Sequence, residues 1–176
     1  VWVGRESVDD LEELVTSTFG AVPNREVGVA PIDEPMFVEA RLPMLLKVEP
    51  LGTLRELQVN FTIPDYRGDY AVKPMSYVSN LVGHEGKGSL LSELKREGLA
   101  DGLSSGSGLQ WRGGAVFSIS VALTERGVEE YEAVLQRVFA YLDVLRERGP
   151  IRRIYEEQSS LAELAFRFAE PVPPIG

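Results

Sequence analysis

The glycine-rich segment 80–98 contains the residues of this chain whose types could do chemistry. It reads NLVGHEGKGSLLSELKREG and holds the only histidine of the chain, His84, directly before Glu85. A catalytic zinc site needs three protein ligands, most often with two histidines on one face of a helix. The chain has one histidine and no cysteine, and the residue three after Glu85 is Gly88. The sequence therefore predicts no metal site within this chain.

The same segment could also be a phosphate-binding loop. Such a loop needs glycine, four further residues, glycine-lysine and then serine or threonine, because backbone amides hold the phosphate and the hydroxyl group reaches magnesium. Aligned on Lys87, the first position is Leu81 and the last is Gly88, so both ends fail. Covalent catalysis is not expected either, because the chain lacks cysteine and its one histidine has no visible triad partner. The sequence predicts no catalytic residue in this chain.

The glycine spacing is then best explained by backbone conformation. Gly83, Gly86 and Gly88 interrupt two helical stretches, which predicts a tight turn with exposed amides before a helix that begins near Ser89. Glu85 lies in that turn as a free acid. Two interpretations stay open at this point: a structural junction between two helices, or a recognition site for the backbone or amino terminus of a peptide.

Composition limits the classes of partner. The chain has 176 residues, enough for one domain or for one domain and part of a neighbour. Its formal net charge is −9, so we expect neither nucleic acid nor an anionic membrane surface as a partner. No apolar run approaches the roughly 18 residues of a membrane span. We interpret the chain as a segment of a longer protein, whose compartment could be periplasmic or cytoplasmic, with the periplasm favoured.

The remaining patterns predict the elements that position this turn. Ser7, followed by acidic residues, predicts a helix start, and Gly20 predicts its end. Strands are predicted at 37–42, 45–50, 54–63 and 115–123, helices at 70–82, 89–98, 124–147 and 151–167, and a weak strand or loop at 99–110. This order predicts an α+β fold, a two-layer sandwich with helices packed on one face of a mostly antiparallel sheet.

The stretch NLVGHEGKGSLLSELKREGLADGL at 80–103 resembles the insulinase family of zinc peptidases, which includes insulin-degrading enzyme and pitrilysin. Further similar stretches follow in the family's order at 4–24, 57–65, 121–150 and 165–174. The resemblance implies that 1–20 is the C-terminal end of the preceding, catalytic domain and that 21–35 is a linker. Residues 36–176 would then be most of the second, noncatalytic insulinase-like domain.

The resemblance also implies a division of roles. The zinc-binding HxxEH motif of the family would lie upstream of Val1, so zinc would belong to the parent enzyme and not to this segment. In insulin-degrading enzymes the second domain holds the amino-terminal part of the substrate as an added strand at a sheet edge, a site termed an exosite. By motif position, Gly83 and Glu85 would face the peptide's amino terminus. Leu103, Ser104 and Ser105 would form the edge strand.

Two departures from the animal insulin-degrading pattern affect this site. Asn80 stands where histidine is expected, and Ser104-Ser105 stand where valine-glycine is expected. Backbone pairing stays possible with these residues. We therefore expect the substrate-binding portion of a zinc-dependent metalloendopeptidase, with peptide substrates and the other domains of the parent chain as partners. The alternative is a noncatalytic insulinase-like scaffold or partner subunit of an active peptidase.

Overall fold

The computed structural model describes residues 6–28, 37 and 41–170 of the chain. Its backbone contacts divide the chain into one unit of Val1–Pro31 with Leu161–Gly176, and a second unit of Ile32–Ser160. The predicted linker at 21–35 lies only partly within the described residues, and the predicted domain boundaries stay predictions. No helix of the described part combines the length and apolar character that a membrane crossing requires.

Helix α1, Val8–Phe19, belongs to the first unit and begins as predicted. The Ser7 hydroxyl accepts a hydrogen bond from the Asp10 amide at 3.1 Å, and the Asp10 carboxylate accepts one from the Ser7 amide at 3.2 Å. This reciprocal arrangement satisfies two backbone donors at the helix start. Hydrogen bonding from the Ser7 hydroxyl to the carboxylate also lowers the pKa of Asp10.

The second unit contains a three-stranded antiparallel sheet. Its strands are β1, Glu56–Ile63, β2, Ala100–Trp111, and β3, Gly114–Leu123, in the order β1-β3-β2. A two-residue turn at Arg112-Gly113 joins β2 to β3, and Gly113 takes the left-handed φ of +103° that such tight turns require. The sequence left open whether 99–110 is a strand or a loop. The structure shows a strand that is paired along most of its length.

Helices cover one face of this sheet. They are α2, Pro74–Val82, α3, Leu90–Arg96, α4, Glu125–Glu129, and α5, Tyr131–Arg148, and a further helix, α6, Arg152–Arg167, follows in the chain. The core joins alternate side chains of β3 to apolar side chains of the helices and of the residues at the start of β2: Val82, Leu90, Leu91, Leu94, Leu99, Ala100, Leu103, Phe117, Ile119, Val121, Leu123, Val134 and Val138. The opposite face of β1 is exposed at alternate positions. These observations confirm the predicted α+β fold.

Three predictions of local structure are wrong in whole or in part. Residues 45–50 form no strand, and their apolar side chains are exposed. No described strand pairs with them. A short apolar run alone does not determine a strand. The long helix predicted at 124–147 is broken at Glu130, where φ is −103° and ψ is 31°. The first helix of the second unit begins at Pro74 rather than at residue 70, after a short 3-10 turn at Arg67–Asp69. The strand predicted at 37–42 lies largely outside the described residues.

Candidate functional site

The glycine-rich segment forms the predicted turn between two helices. Gly83 ends α2, and its amide donates to the carbonyl oxygen of Ser79 at 2.8 Å. Ser89 is the N-terminal cap of α3: its buried hydroxyl accepts a hydrogen bond from the Ser92 amide at 3.1 Å. Gly88 has a φ of +84°, a conformation that other residues rarely adopt. Residues 83–89 therefore connect the end of α2 to the start of α3.

His84 and Glu85 are both exposed in this turn. The imidazole of His84 lies close to Gly86. A β-carbon added to Gly86 would be only 2.5 Å from the His84 Nε2 atom. Glu85 makes no ion pair with any residue in the described ranges. The turn therefore presents to solvent a carboxylate without an ion pair, two residues before the exposed Lys87.

Strand β2 lies at an edge of the described sheet, and the direction of its backbone groups can be worked out from neighbouring hydrogen bonds. The Leu123 amide donates to Arg55, on the β1 side, at 2.8 Å, whereas the next amide, of Thr124, donates to Leu99, on the β2 side, at 3.2 Å. Backbone groups of successive strand residues point to opposite sides. Even-numbered residues of β3 therefore face β2, and odd-numbered residues face β1.

This alternation determines which groups of β2 are unpaired within the sheet. Ser104 lies opposite Ser120, which faces β2, so these two residues form a hydrogen-bonded pair. Leu103 and Ser105 lie opposite odd-numbered residues of β3. Their N–H and C=O groups consequently point away from β3, toward the free edge of β2. An extended peptide could pair with these groups.

The structure brings two of the predicted site residues together. A β-carbon added to Gly83 would lie 3.4 Å from the Ser105 hydroxyl oxygen and 4.0 Å from the Ser105 amide nitrogen, so the end of α2 lies against the strand edge. The Leu103 side chain is buried in the core, and the Ser104 side chain is exposed. Glu85 follows Gly83 by two residues in the turn and makes no hydrogen bond to the described strand.

The residue that sequence reasoning missed is Ser79. Its hydroxyl donates to the carbonyl oxygen of Ser105 at 2.5 Å, and the Ser105 hydroxyl donates to the carbonyl oxygen of Ser79 at 3.0 Å. These reciprocal bonds join α2 to the edge of β2. The available sequence signal was the spacing of four residues between Ser79 and Gly83, which places both on one helix face.

A second contact fixes the end of α2 from the other side. Tyr141 of α5 donates its hydroxyl hydrogen to the carbonyl oxygen of Leu81 at 3.1 Å. Burial raises the pKa of Tyr141 above its ordinary value. The turn is therefore held by a strand on one side and by a helix on the other.

The described residues of this chain do not fit a zinc site. Within residues 6–28, 37 and 41–170, no three histidine, cysteine, aspartate or glutamate side chains are close enough together to hold a metal ion. The whole sequence offers one histidine and no cysteine. A set of three zinc ligands therefore cannot be assembled from the described residues.

The letters Gly102 to Gly106 also read G-x-S-x-G, the pattern of the nucleophile elbow in serine hydrolases. An elbow is a sharp turn between a strand and a helix, whereas these residues lie inside β2, with Ser104 paired to Ser120. The match is therefore one of letters only. It gives Ser104 no role as a nucleophile.

An apolar groove of about 800 Å³ lies on the other side of α2, within the unit of Ile32–Ser160. Its walls come from α2, the end of α5 and the start of α6, and include Tyr77, Leu81, Leu145 and Tyr155. Among the residues that the structure describes, no acidic side chain or histidine lines it. The groove offers packing surface rather than groups for acid–base chemistry.

This arrangement of an antiparallel sheet with helices on one face is the fold of an insulinase-like peptidase domain. The crystal structure of pitrilysin matches it with a TM-score of 0.83 over 98% of this chain and 18% of that chain, at 24% identity. Residues 1–158 match the sequence family described as "Peptidase M16 inactive domain". The chain belongs to this insulinase, or M16, family of peptidases.

Curated relatives lead to the same family. Insulin-degrading enzyme of Homo sapiens is 40% identical over 174 residues, which cover 99% of this chain and 17% of that enzyme. The Drosophila melanogaster enzyme is 37% identical over 172 residues, covering 98% of this chain and 17% of the relative. Nardilysin of Rattus norvegicus is 35% identical over 182 residues, covering 97% and 15%. The chain thus spans 15–17% of the length of these relatives.

Proposed function

We propose that this chain is the substrate-binding portion of a zinc-dependent metalloendopeptidase that hydrolyses peptides. The chain itself binds and aligns the peptide, and the chemistry belongs to the rest of the parent protein, which also holds the zinc. The observation that carries the proposal is the juxtaposition of the free β2 edge at Leu103 and Ser105 with the end of α2 at Gly83. Membership of the M16 peptidase family and the peptidase relatives support it.

The proposed complex is an added strand. The N–H and C=O groups of Leu103 and Ser105, which point away from β3, would pair with the peptide backbone whatever its side chains, which suits a peptidase that accepts several substrates. Glu85 would accept hydrogen bonds from the protonated amino terminus, a charge-assisted interaction. The absence of a side chain at Gly83 allows the end of α2 to lie close to Ser105.

The expected affinity is low. Each backbone hydrogen bond contributes a net ~0.5–1.5 kcal/mol, and ordering the peptide offsets much of that sum. Binding to this chain alone should therefore have a Kd on the order of 0.1–1 mM. In the parent enzyme, the catalytic domain would add further contacts to the same peptide.

The test is a titration of the chain with a fluorescent decapeptide rich in threonine and valine, labelled at its carboxyl end. The peptide is compared with its N-acetylated form, which lacks the amino-terminal charge. We expect acetylation and Glu85→Gln each to weaken binding about three- to tenfold, a factor within the range of one net hydrogen bond at an exposed site. Glu147→Gln, at an exposed glutamate in the last turn of α5, is the matched control and should have no effect. Equal binding of both peptides would contradict the assignment of Glu85.

Metal removal separates this proposal from the noncatalytic alternative. Chelation of the parent protein should abolish peptide hydrolysis, and zinc should restore it, while decapeptide binding through this portion continues. A parent protein that binds peptide but never hydrolyses it, with zinc present, would instead be a scaffold or partner subunit.

A further inference from the structure

We infer that the hydroxyl group of Ser79 competes with bound peptide for the carbonyl oxygen of Ser105, and thereby limits the affinity of the β2 edge. The inference rests on the proposed function, because it assumes that a peptide pairs at this edge. It starts from the hydrogen bond of 2.5 Å from the Ser79 hydroxyl to Ser105. That bond uses one of the two lone pairs of a carbonyl oxygen that strand addition also needs.

The Ser105 carbonyl is an edge group. The alternation along β3 points the N–H and C=O groups of Leu103 and Ser105 toward the free edge. An added strand would pair with both residues, which lie two positions, or about 6.6 Å, apart along the strand. Its amide at the Ser105 position would meet a carbonyl oxygen already bonded to Ser79. At Leu103 the carbonyl has no such competitor among the described residues.

The competing bond can be released without unfolding α2. A serine inside a helix can turn its hydroxyl group to the carbonyl oxygen four residues earlier, here that of Met75. The opposite bond, from the Ser105 hydroxyl to the Ser79 carbonyl oxygen at 3.0 Å, does not involve the Ser79 side chain. The edge therefore has a closed state, with Ser79 bonded to Ser105, and an open state, with Ser79 turned back to its own helix.

Removal of this hydroxyl should tighten peptide binding, although it removes a hydrogen bond from the free protein. Ser79→Ala leaves the Ser105 carbonyl unpaired until a peptide arrives. The expected gain is roughly two- to twelvefold in Kd, the factor that corresponds to one net hydrogen bond. Ser79→Thr keeps the hydroxyl and should bind like wild type.

A matched control removes a serine hydroxyl elsewhere in the same sheet. Ser118→Ala deletes the bond from the Ser118 hydroxyl to Asn60, which spans 2.6 Å between β3 and β1. It should change thermal stability without changing peptide affinity. If both Ser79→Ala and Ser118→Ala tighten binding alike, the effect comes from general loosening of the sheet and the inference is overturned.

The experiment is the titration with the labelled decapeptide on wild type and the three serine variants, combined with single N-methyl substitutions along the peptide. In wild type, methylation of the amide that meets Ser105 should weaken binding less than methylation of the amide that meets Leu103. In Ser79→Ala the two losses should become equal. These N-methyl results on wild type decide the inference even where a variant folds poorly.

The outcomes separate the two claims. Absence of saturable decapeptide binding to the wild-type chain contradicts the proposed function and this inference together. Binding that responds to acetylation, with Ser79→Ala no tighter than wild type and equal N-methyl losses in wild type, overturns only the inference. Tighter binding by Ser79→Ala with unequal N-methyl losses in wild type supports both.

Discussion

The hydroxyl group of Tyr141 lies 3.1 Å from the carbonyl oxygen of Leu81 and donates a hydrogen bond to it. The bond joins α5 to the last turn of α2, one residue before the buried Val82 and two before Gly83. The position of the glycine-rich turn therefore depends on a contact 60 residues away in sequence.

Tyr141→Phe should lower the free energy of unfolding by about 0.5–1.5 kcal/mol, the net value of one hydrogen bond. The ring is retained, so the change reports the hydroxyl group alone. Chemical denaturation of wild type and variant measures it. A variant as stable as wild type would show that the Tyr141 hydroxyl contributes nothing to holding α2.

The same tyrosine predicts a dependence of stability on alkaline pH. Its pKa is raised in the folded state by burial, so the folded protein keeps this proton at pH values where the unfolded chain has lost it. The unfolded state then binds fewer protons, and the free energy of unfolding decreases as pH rises above about 10, the ordinary pKa of tyrosine. Denaturation between about pH 8 and 11 should show a decrease that is smaller in Tyr141→Phe. An identical decrease in both proteins would exclude Tyr141 as its source.

Two glycines should respond to alanine in different ways. A β-carbon on Gly127 would lie 1.9 Å from the carbonyl oxygen of Leu99, a backbone atom, whereas one on Gly86 would meet only the exposed His84 ring, at 2.5 Å. Gly127→Ala should therefore destabilise the protein by about 1–3 kcal/mol or more, although alanine favours helix. Gly86→Ala should stay within roughly 0.5 kcal/mol, because an exposed ring can rotate away. Chemical denaturation of both variants measures the difference, and equal losses at both positions would contradict the packing described for α4.

Substrate length offers a kinetic prediction in the parent enzyme. Glu85→Ala should raise KM for long peptides more than for short ones, because only long peptides could reach from this site to the catalytic zinc. Steady-state hydrolysis of a short and a long substrate with the same cleavage sequence measures the ratio, with Glu147→Ala as the control. Equal changes for both substrates would leave Glu85 as a residue of the turn and nothing more.

The parts of the fold that the sequence predicted rest on local chemistry. Ser7 and Ser89 cap α1 and α3, as short-range hydroxyl-to-amide bonds allow. The alternation of β3 follows from one buried and one partly exposed face. Resemblance at the motif positions assigned Gly83 and Ser105 to one peptide site; the two residues lie close together, and their role in binding stays a prediction.

The parts that it missed rest on contacts between distant residues. The break at Glu130 accompanies the close approach of Gly127 to Leu99, which no local pattern reveals. The apolar run at 45–50 has no partner strand among the described residues, and a strand requires one. Ser79 became part of the candidate site only through its bond to Ser105, 26 residues away.

The central claim is that a peptide pairs with the free edge of β2. Amide hydrogen exchange of single residues, followed by NMR with and without the decapeptide, tests it most directly. In the free chain the Ser104 amide, bonded to β3, should exchange slowly, and the Leu103 amide, which faces the free edge, should exchange faster. Saturating peptide should slow exchange at Leu103 and leave Ser104 nearly unchanged, and Glu85→Gln should raise the peptide concentration required. Unchanged exchange at Leu103 under saturating peptide would contradict the claim.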